Sequence, residues 1–205
     1  MTQSAARRGV SSADQLIEAT AALLGERTVL DVSLSEIAAR SGLNSALIKY
    51  YFGNKEGLLL ALLERDAAVE MKALDHLVSM PIAAGEKLGL HIRAIINAYF
   101  RSPYLNRLIH YMIDSSGPDA SKRVAAIFVQ PMLTAYRAIV DQGVAEGAFR
   151  PVDPAFLYYS LVGSCDHLFH AANAVPGPSR ITKDMKERYI AHVTDMCLFG
   201  LKPQG

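Results

Sequence analysis

Apolar residues recur three and four positions apart along almost the whole chain, and no segment shows the strict alternation of a half-buried strand. The predicted fold class is all-α. Ser12 with Gln15 forms a capping box that opens a helix reaching about Leu24, and Ser33 with Glu36 opens a second reaching about Ser41, where Gly42 stops it. Asn44 caps a third short helix ending near Phe52. After the break at Gly53-Asn54, a long helix runs to about Met80, ahead of Pro81. Longer helices are expected at about 84–101, 104–114, 119–147, 153–173 and 182–199, with a kink at Pro131. Three short helices followed by a long one suggest two units: an N-terminal domain over 1–54 and a C-terminal helical bundle over 55–205, joined by the long helix.

At 205 residues, with 51% hydrophobic and 20% charged side chains, the chain can bury a proper core, which excludes a disordered chain. No uninterrupted apolar run reaches membrane-spanning length, and Met1 to Val10 lacks the apolar centre of a signal peptide, so a cytoplasmic protein with no membrane partner is expected. Cys165 and Cys197 lie far apart without CxxC spacing and read as buried thiols. The net charge is +1, and each side of residue 60 is nearly balanced. Any nucleic-acid surface must therefore be a local patch.

Leu34 to Tyr51 fits a helix-turn-helix. Gly42 suits a left-handed turn, Ala38 is small where two helices cross closely, and Ile37, Leu43 and Ile48 supply a small core. The second helix then projects Ser45, Ala46, Lys49 and Tyr50, which suit base edges, while Lys49, Tyr51 and Lys55 can reach phosphates. A plain αα-hairpin with a glycine turn explains the turn pattern equally well. The string Tyr50-Tyr51-Phe52-Gly53-Asn54-Lys55-Glu56-Gly57-Leu58, at the end of the hairpin and just beyond it, is more specific.

With Gly42 to Ile48 before it, that string resembles the TetR/AcrR family of bacterial transcriptional regulators over about residues 12–65. The resemblance implies a dimeric, ligand-responsive repressor: a double-stranded DNA operator, a small-molecule effector and a second copy of the chain are the implied partners. By position it makes Ser33, Ser35, Ser45, Ala46, Lys49, Tyr51 and Lys55 DNA contacts, joined by the outward Tyr50. Many members carry tyrosine where Lys49 stands, which leaves its role, base or phosphate, open. Arg7 and Arg8 read either as a basic arm or as a solvated tail.

The helix from about 153 to 173 is apolar on more than one face, so it is buried on several sides. The resemblance supplies a second side, because the family dimerises through its last two long helices. Phe156, Leu161, Leu168, Phe169, Met185, Tyr189, Val193 and Met196 are the expected interface; a central helix in a monomeric bundle is the alternative. Polar handles among apolar neighbours nominate His91, Ile95, Tyr99, His110, Tyr111, Asp114, Val162 and Asp166 as a ligand pocket, favouring a ligand with hydrogen-bonding groups. The segments Phe149–Pro154 and Leu161–His167 resemble the pyrimidine-responsive branch, although Val162 and Asp166 stand at its ligand positions and do not prescribe a pyrimidine.

Asp166 and His170 lie four apart as paired metal ligands would, but no third ligand is evident and none is assigned. No catalytic residue or cofactor is assigned either. A helical-bundle enzyme, the rival from another class, lacks Glu-x-x-His, HExxH, G-x-S-x-G and any phosphate-binding glycine loop. An interaction module with a non-binding helix-turn-helix is the third reading.

Overall fold

The computed structural model describes residues 11–27, 29–171 and 181–203, all of whose regular structure is helical. Arg7, Arg8 and the Pro176-Gly177-Pro178 loop lie outside the described residues. In chain order the helices are α1 (Ser12–Gly25), α2 (Leu34–Ser41), α3 (Ala46–Phe52), α4 (Lys55–Ser79), α5 (Ala84–Arg101), α6 (Tyr104–Asp114), α7 (Pro118–Val124), α8 (Gln130–Ala145), α9 (Pro154–His170) and α10 (Lys183–Leu201). A π-helical turn, Ala125–Val129, joins α7 to α8.

Local chemistry accounts for most boundaries. The capping residue of α1 is Ser11 and not Ser12: its Oγ accepts the Asp14 amide at 3.1 Å. Ser33 and Glu36 form the expected reciprocal box at the start of α2, and Gly42 ends that helix in the left-handed region at φ 73°. Asn44 Oδ1 accepts the Ala46 amide at 2.8 Å, satisfying an open donor at the start of α3. The expected kink at Pro131 takes the form of the π turn. Proline has no N–H to donate, and its ring crowds the carbonyl four residues back; the Gln130 amide reaches five residues back to Ala125.

Leu16, Leu24, Ile37 and Ile48 of the first three helices are fully buried with Leu58, Leu62 and Leu63 of α4, so the long helix is part of the N-terminal core. Further along, α4 joins α5, α6 and α8, while α5 packs on α8, α9 and α10. The continuous helical stretch Pro118–Ala145 is long and apolar enough on average to cross a membrane. Its Phe128, Met132, Tyr136, Ile139 and Val140 are instead buried in the bundle, which accounts for that hydropathy. Buried Lys87 donates to the Val78 carbonyl at 2.5 Å and to Gln142 Oε1 at 2.8 Å, tying the end of α4 to α8.

Candidate nucleic-acid interface and effector cavity

Ile48 roots α3 in the core with no exposure, and Leu47 is half-buried beside it. Ser45, Ala46, Lys49 and Tyr50 are exposed together, which their spacing of one helical turn requires, and Tyr50 stands 79% exposed. Tyr51 meets Tyr50 edge-on with centroids 4.9 Å apart. Ser35 is exposed at the start of α2. The exposed Ser33 has its hydroxyl engaged locally, accepting the Glu36 amide at 3.2 Å and donating to Glu36 Oε2 at 2.7 Å. Arg27 pairs with Glu36, and that pairing with the capping bonds brings the carboxyl down to about 2. Arg40 and Glu26 form a bidentate pair at 2.9 and 2.7 Å, fastening α2 to the end of α1.

Gly53, at φ 78°, turns the chain out of α3, and Asn54 caps α4 by accepting the Gly57 amide at 2.8 Å. Lys55 is half-buried in the first turn of α4, where the helix dipole favours an anion. A Cβ on Gly57 would lie 2.0 Å from the Phe52 carbonyl oxygen. Only glycine allows the end of α3 to come that close to α4. Two arginines add polar ties from α4 and α6 to the first helix and its C-terminal end: Arg65 pairs with Glu18 at 2.8 Å, and Arg107 of α6 donates to the carbonyls of Arg27 at 2.8 Å and Leu24 at 3.3 Å. Arg107 thus adds a side-chain donor to carbonyls at and just beyond the end of α1.

A cavity of about 120 Å³ opens between α4, α5, α6, α8 and α9. Of the residues nominated for a ligand pocket, His91, Ile95, Tyr99 and Val162 line this cavity, with Leu74, Phe128 and Tyr158 among their neighbours. The expected polar wall is absent among the described residues, because His110, Tyr111, Asp114 and Asp166 do not line this cavity. Asp166 is taken up by His110 Nε2 at 3.0 Å and by Asn106 Nδ2, a cross-link between α6 and α9. His91 bonds the Tyr136 hydroxyl at 3.0 Å, and burial pushes its pKa down to about 4, so the ring stays neutral. Burial likewise raises the Tyr99 phenol far above its ordinary range. The wall is therefore mostly hydrocarbon, with His91 and Tyr99 uncharged. Asp166 and His170 do not pair as metal ligands: the His170 ring lies against His110, centroids 4.5 Å apart. No group able to hold a metal occurs among the described residues.

On the outer face of α9 and α10, Phe156 is 71% and Phe199 75% exposed, with Tyr159 and Met196 exposed beside them. Phe156 and Met196 line a groove between the two helices. The expected interface set divides here. Leu161 and Val193 belong to the protomer's own core, and Phe169 turns inward onto Tyr99 with centroids 5.5 Å apart. Leu168, Met185 and Tyr189 are half-buried, the last donating to the Ser164 carbonyl at 2.6 Å.

Two family patterns match the chain: "Bacterial regulatory proteins, tetR family" over residues 16–62 and "Tetracyclin repressor-like, C-terminal domain" over residues 81–205. The chain belongs to the TetR family. Its similarity to the HTH-type transcriptional regulator BetI of Rhizobium meliloti is 26% identity over 162 residues, 71% of this chain and 76% of that one. A tetR-family regulatory protein from Rhodococcus RHA1 shares the fold at TM-score 0.75 and 16% identity, covering 96% of this chain and 100% of that one. FadR from Bacillus subtilis, solved with stearoyl-CoA, does so at TM-score 0.69 and 18% identity, covering 91% and 95%. As a TetR-family protein the chain is a ligand-responsive DNA-binding transcriptional regulator and not an enzyme.

Several residues that shape this TetR-family site carry no local sequence signal. Gly57 stood inside the quoted motif, but its close approach to Phe52 is a tertiary fact. Arg107 and Phe199 carry no local signal beyond their charge or hydrophobicity.

Proposed function

We propose that this regulator binds a palindromic operator as a symmetric homodimer and is released when an apolar effector fills the cavity above α4. The observation that carries the reading is the division of α3: Ile48 is locked in the core while Ser45, Ala46, Lys49 and Tyr50 form one exposed face. Residues 11–54 supply the reading head and residues 55–203 the effector and dimerisation unit, in the cytoplasm where operators lie. Ser33, Ser35, Tyr51 and Lys55 flank the exposed face as backbone contacts, with Ser33 also serving its cap. Phe156, Tyr159, Met196 and Phe199 meet their copies across a two-fold axis, which sets the spacing of the two heads. The long apolar chain of stearoyl-CoA in the Bacillus subtilis relative is in keeping with a hydrocarbon-walled cavity here.

Release follows from α6. Leu105 and Ile109 face the cavity, while Arg107 between them holds the end of α1. An effector that prefers one position of α6 therefore biases the head, and one that binds both positions equally shifts nothing. Lys49→Ala and Tyr51→Phe test the reading head. Both should weaken operator binding with folding and dimerisation intact. A phosphate contact by Lys49 lowers the salt slope by about one unit, and a base contact costs roughly 1–3 kcal/mol at one position. Unchanged affinity in both variants removes α3 as the reading helix.

A further inference from the structure

Among the described residues of the head, the basic side chains are Arg27, Arg40 and Lys49. The two arginines are committed to carboxylates, Arg27 to Glu36 and Arg40 to Glu26, whereas the Lys49 ammonium has no hydrogen-bond or ion-pair partner among the described residues. At about 100° per residue, Ala46 points away from the buried side of α3, which Leu47, Ile48 and Phe52 form. Lys49 and Tyr50 follow one turn later, on either side of Ala46. Tyr51 is displaced toward the buried side, and Lys55 is half-buried at the start of α4.

We infer, resting on α3 as the reading helix, that Lys49 is a specificity residue: its ammonium reads one guanine in each half-site by donating to the O6 and N7 of the base. The methyl of Ala46 and the short Ser45 add little bulk to the outward face, so the axis of α3 can come close to the floor of the major groove. At that depth a lysine one turn further on reaches a base edge. Tyr51 and Lys55, set to the side, are left to the sugar-phosphate walls. The donor inventory then selects the base. An ammonium has three donors and no acceptor, so it is matched only by acceptors. Guanine presents O6 and N7 side by side; adenine sets an amino group beside its N7, cytosine presents an amino group, and thymine offers one acceptor next to a methyl. Ser45, Ala46 and Tyr50 bring no second charge to this face, and no carboxylate there competes for the ammonium. Because Lys49 has no internal partner to give up, its contact with the base breaks nothing in the head.

Selection of duplexes from a random pool, run in parallel with the full-length parent, Lys49→Arg and Lys49→Ala, tests this role. Lys49 is exposed, so both variants should unfold at the parent's temperature. The parent should enrich a palindrome with a fixed guanine in each half-site. Lys49→Arg should keep that guanine, because a guanidinium reads the same acceptors, and Lys49→Ala should enrich the same palindrome with that single position degenerate. Titration of the selected operator then locates the contact. A deazaguanine lacking N7, placed at the fixed position of one half-site, should weaken the parent about tenfold and leave Lys49→Ala unaffected. If Lys49→Ala still fixes every position that the parent fixes, the guanine inference is overturned; a uniform loss of affinity then makes Lys49 a phosphate contact with α3 still the reader. A parent half-site without a fixed guanine, or an equal loss from deazaguanine in parent and Lys49→Ala, overturns it as well. If Lys49→Ala and Tyr51→Phe both bind and select as the parent does, α3 is not the reading helix, and the guanine inference falls with that reading.

Discussion

Gly57→Ala should damage operator binding more than its single methyl group suggests. The added Cβ would start 2.0 Å from the Phe52 carbonyl oxygen, and reaching an ordinary contact of 3.4 Å requires the end of α3 and the first turn of α4 to part by about 1.4 Å. The obstacle is backbone, so no rotamer change relieves it. Overpacking of this kind costs about 1–3 kcal/mol of stability. The displacement falls on the last turn of α3, next to Tyr50 and Tyr51, so on the proposed reading a base contact by Tyr50 worth roughly 1–3 kcal/mol and a phosphate contact by Tyr51 are misplaced as well. Gly25→Ala is the control. Nothing lies within 4 Å of a Cβ there, and the residue closes α1 in ordinary helical conformation, so a small gain of at most about 1 kcal/mol is expected. Urea unfolding gives the stabilities, and operator titration under conditions where both variants are folded gives the affinities. Gly57→Ala binding the operator as tightly as the parent would show that the close approach of α3 to α4 does not position the reading helix.

Three further outcomes are expected from other parts of the fold. Buried His91 stays neutral down to about pH 4, whereas an unfolded histidine takes a proton near 6.5, so the unfolded chain binds the extra proton between those values. That contribution to stability is complete above pH 6.5 and falls by up to about 3 kcal/mol towards pH 4; urea unfolding of His91→Gln should lack that part of the slope. Phe156→Glu and Phe199→Glu alter side chains exposed in the protomer, so each should yield folded monomers in sedimentation, and an unaltered dimer would move the interface off α9 and α10. Arg107→Gln removes the bonds to Leu24 and Arg27, and amide exchange should quicken at the end of α1 while α8 keeps its protection; equal exchange at both would take Arg107 out of the link.

Features written within one helical turn are legible in the sequence. The Ser33–Glu36 box, the left-handed Gly42 and the outward face of α3 depend on neighbours three or four residues away, and helices 84–101 and 104–114 are bounded by local proline and serine signals. Long-range pairing is not legible. Asp166 has the look of a ligand handle beside apolar residues, yet its partners His110 and Asn106 stand 56 and 60 residues away. Periodicity marks α9 as apolar all round without saying which face meets its own protomer, so Leu161 and Phe169 fall into one group with the exposed Phe156. Ser11 displaces Ser12 as the α1 cap because adjacent serines offer the same hydroxyl one residue apart.

Selection of bound duplexes from a random DNA pool by the full-length protein tests the central claim most directly. Enrichment of a palindrome, lost when Lys49→Ala and Tyr51→Phe are combined, would establish a two-fold reader whose α3 helices contact the operator. Absence of any enriched sequence at low salt would contradict it.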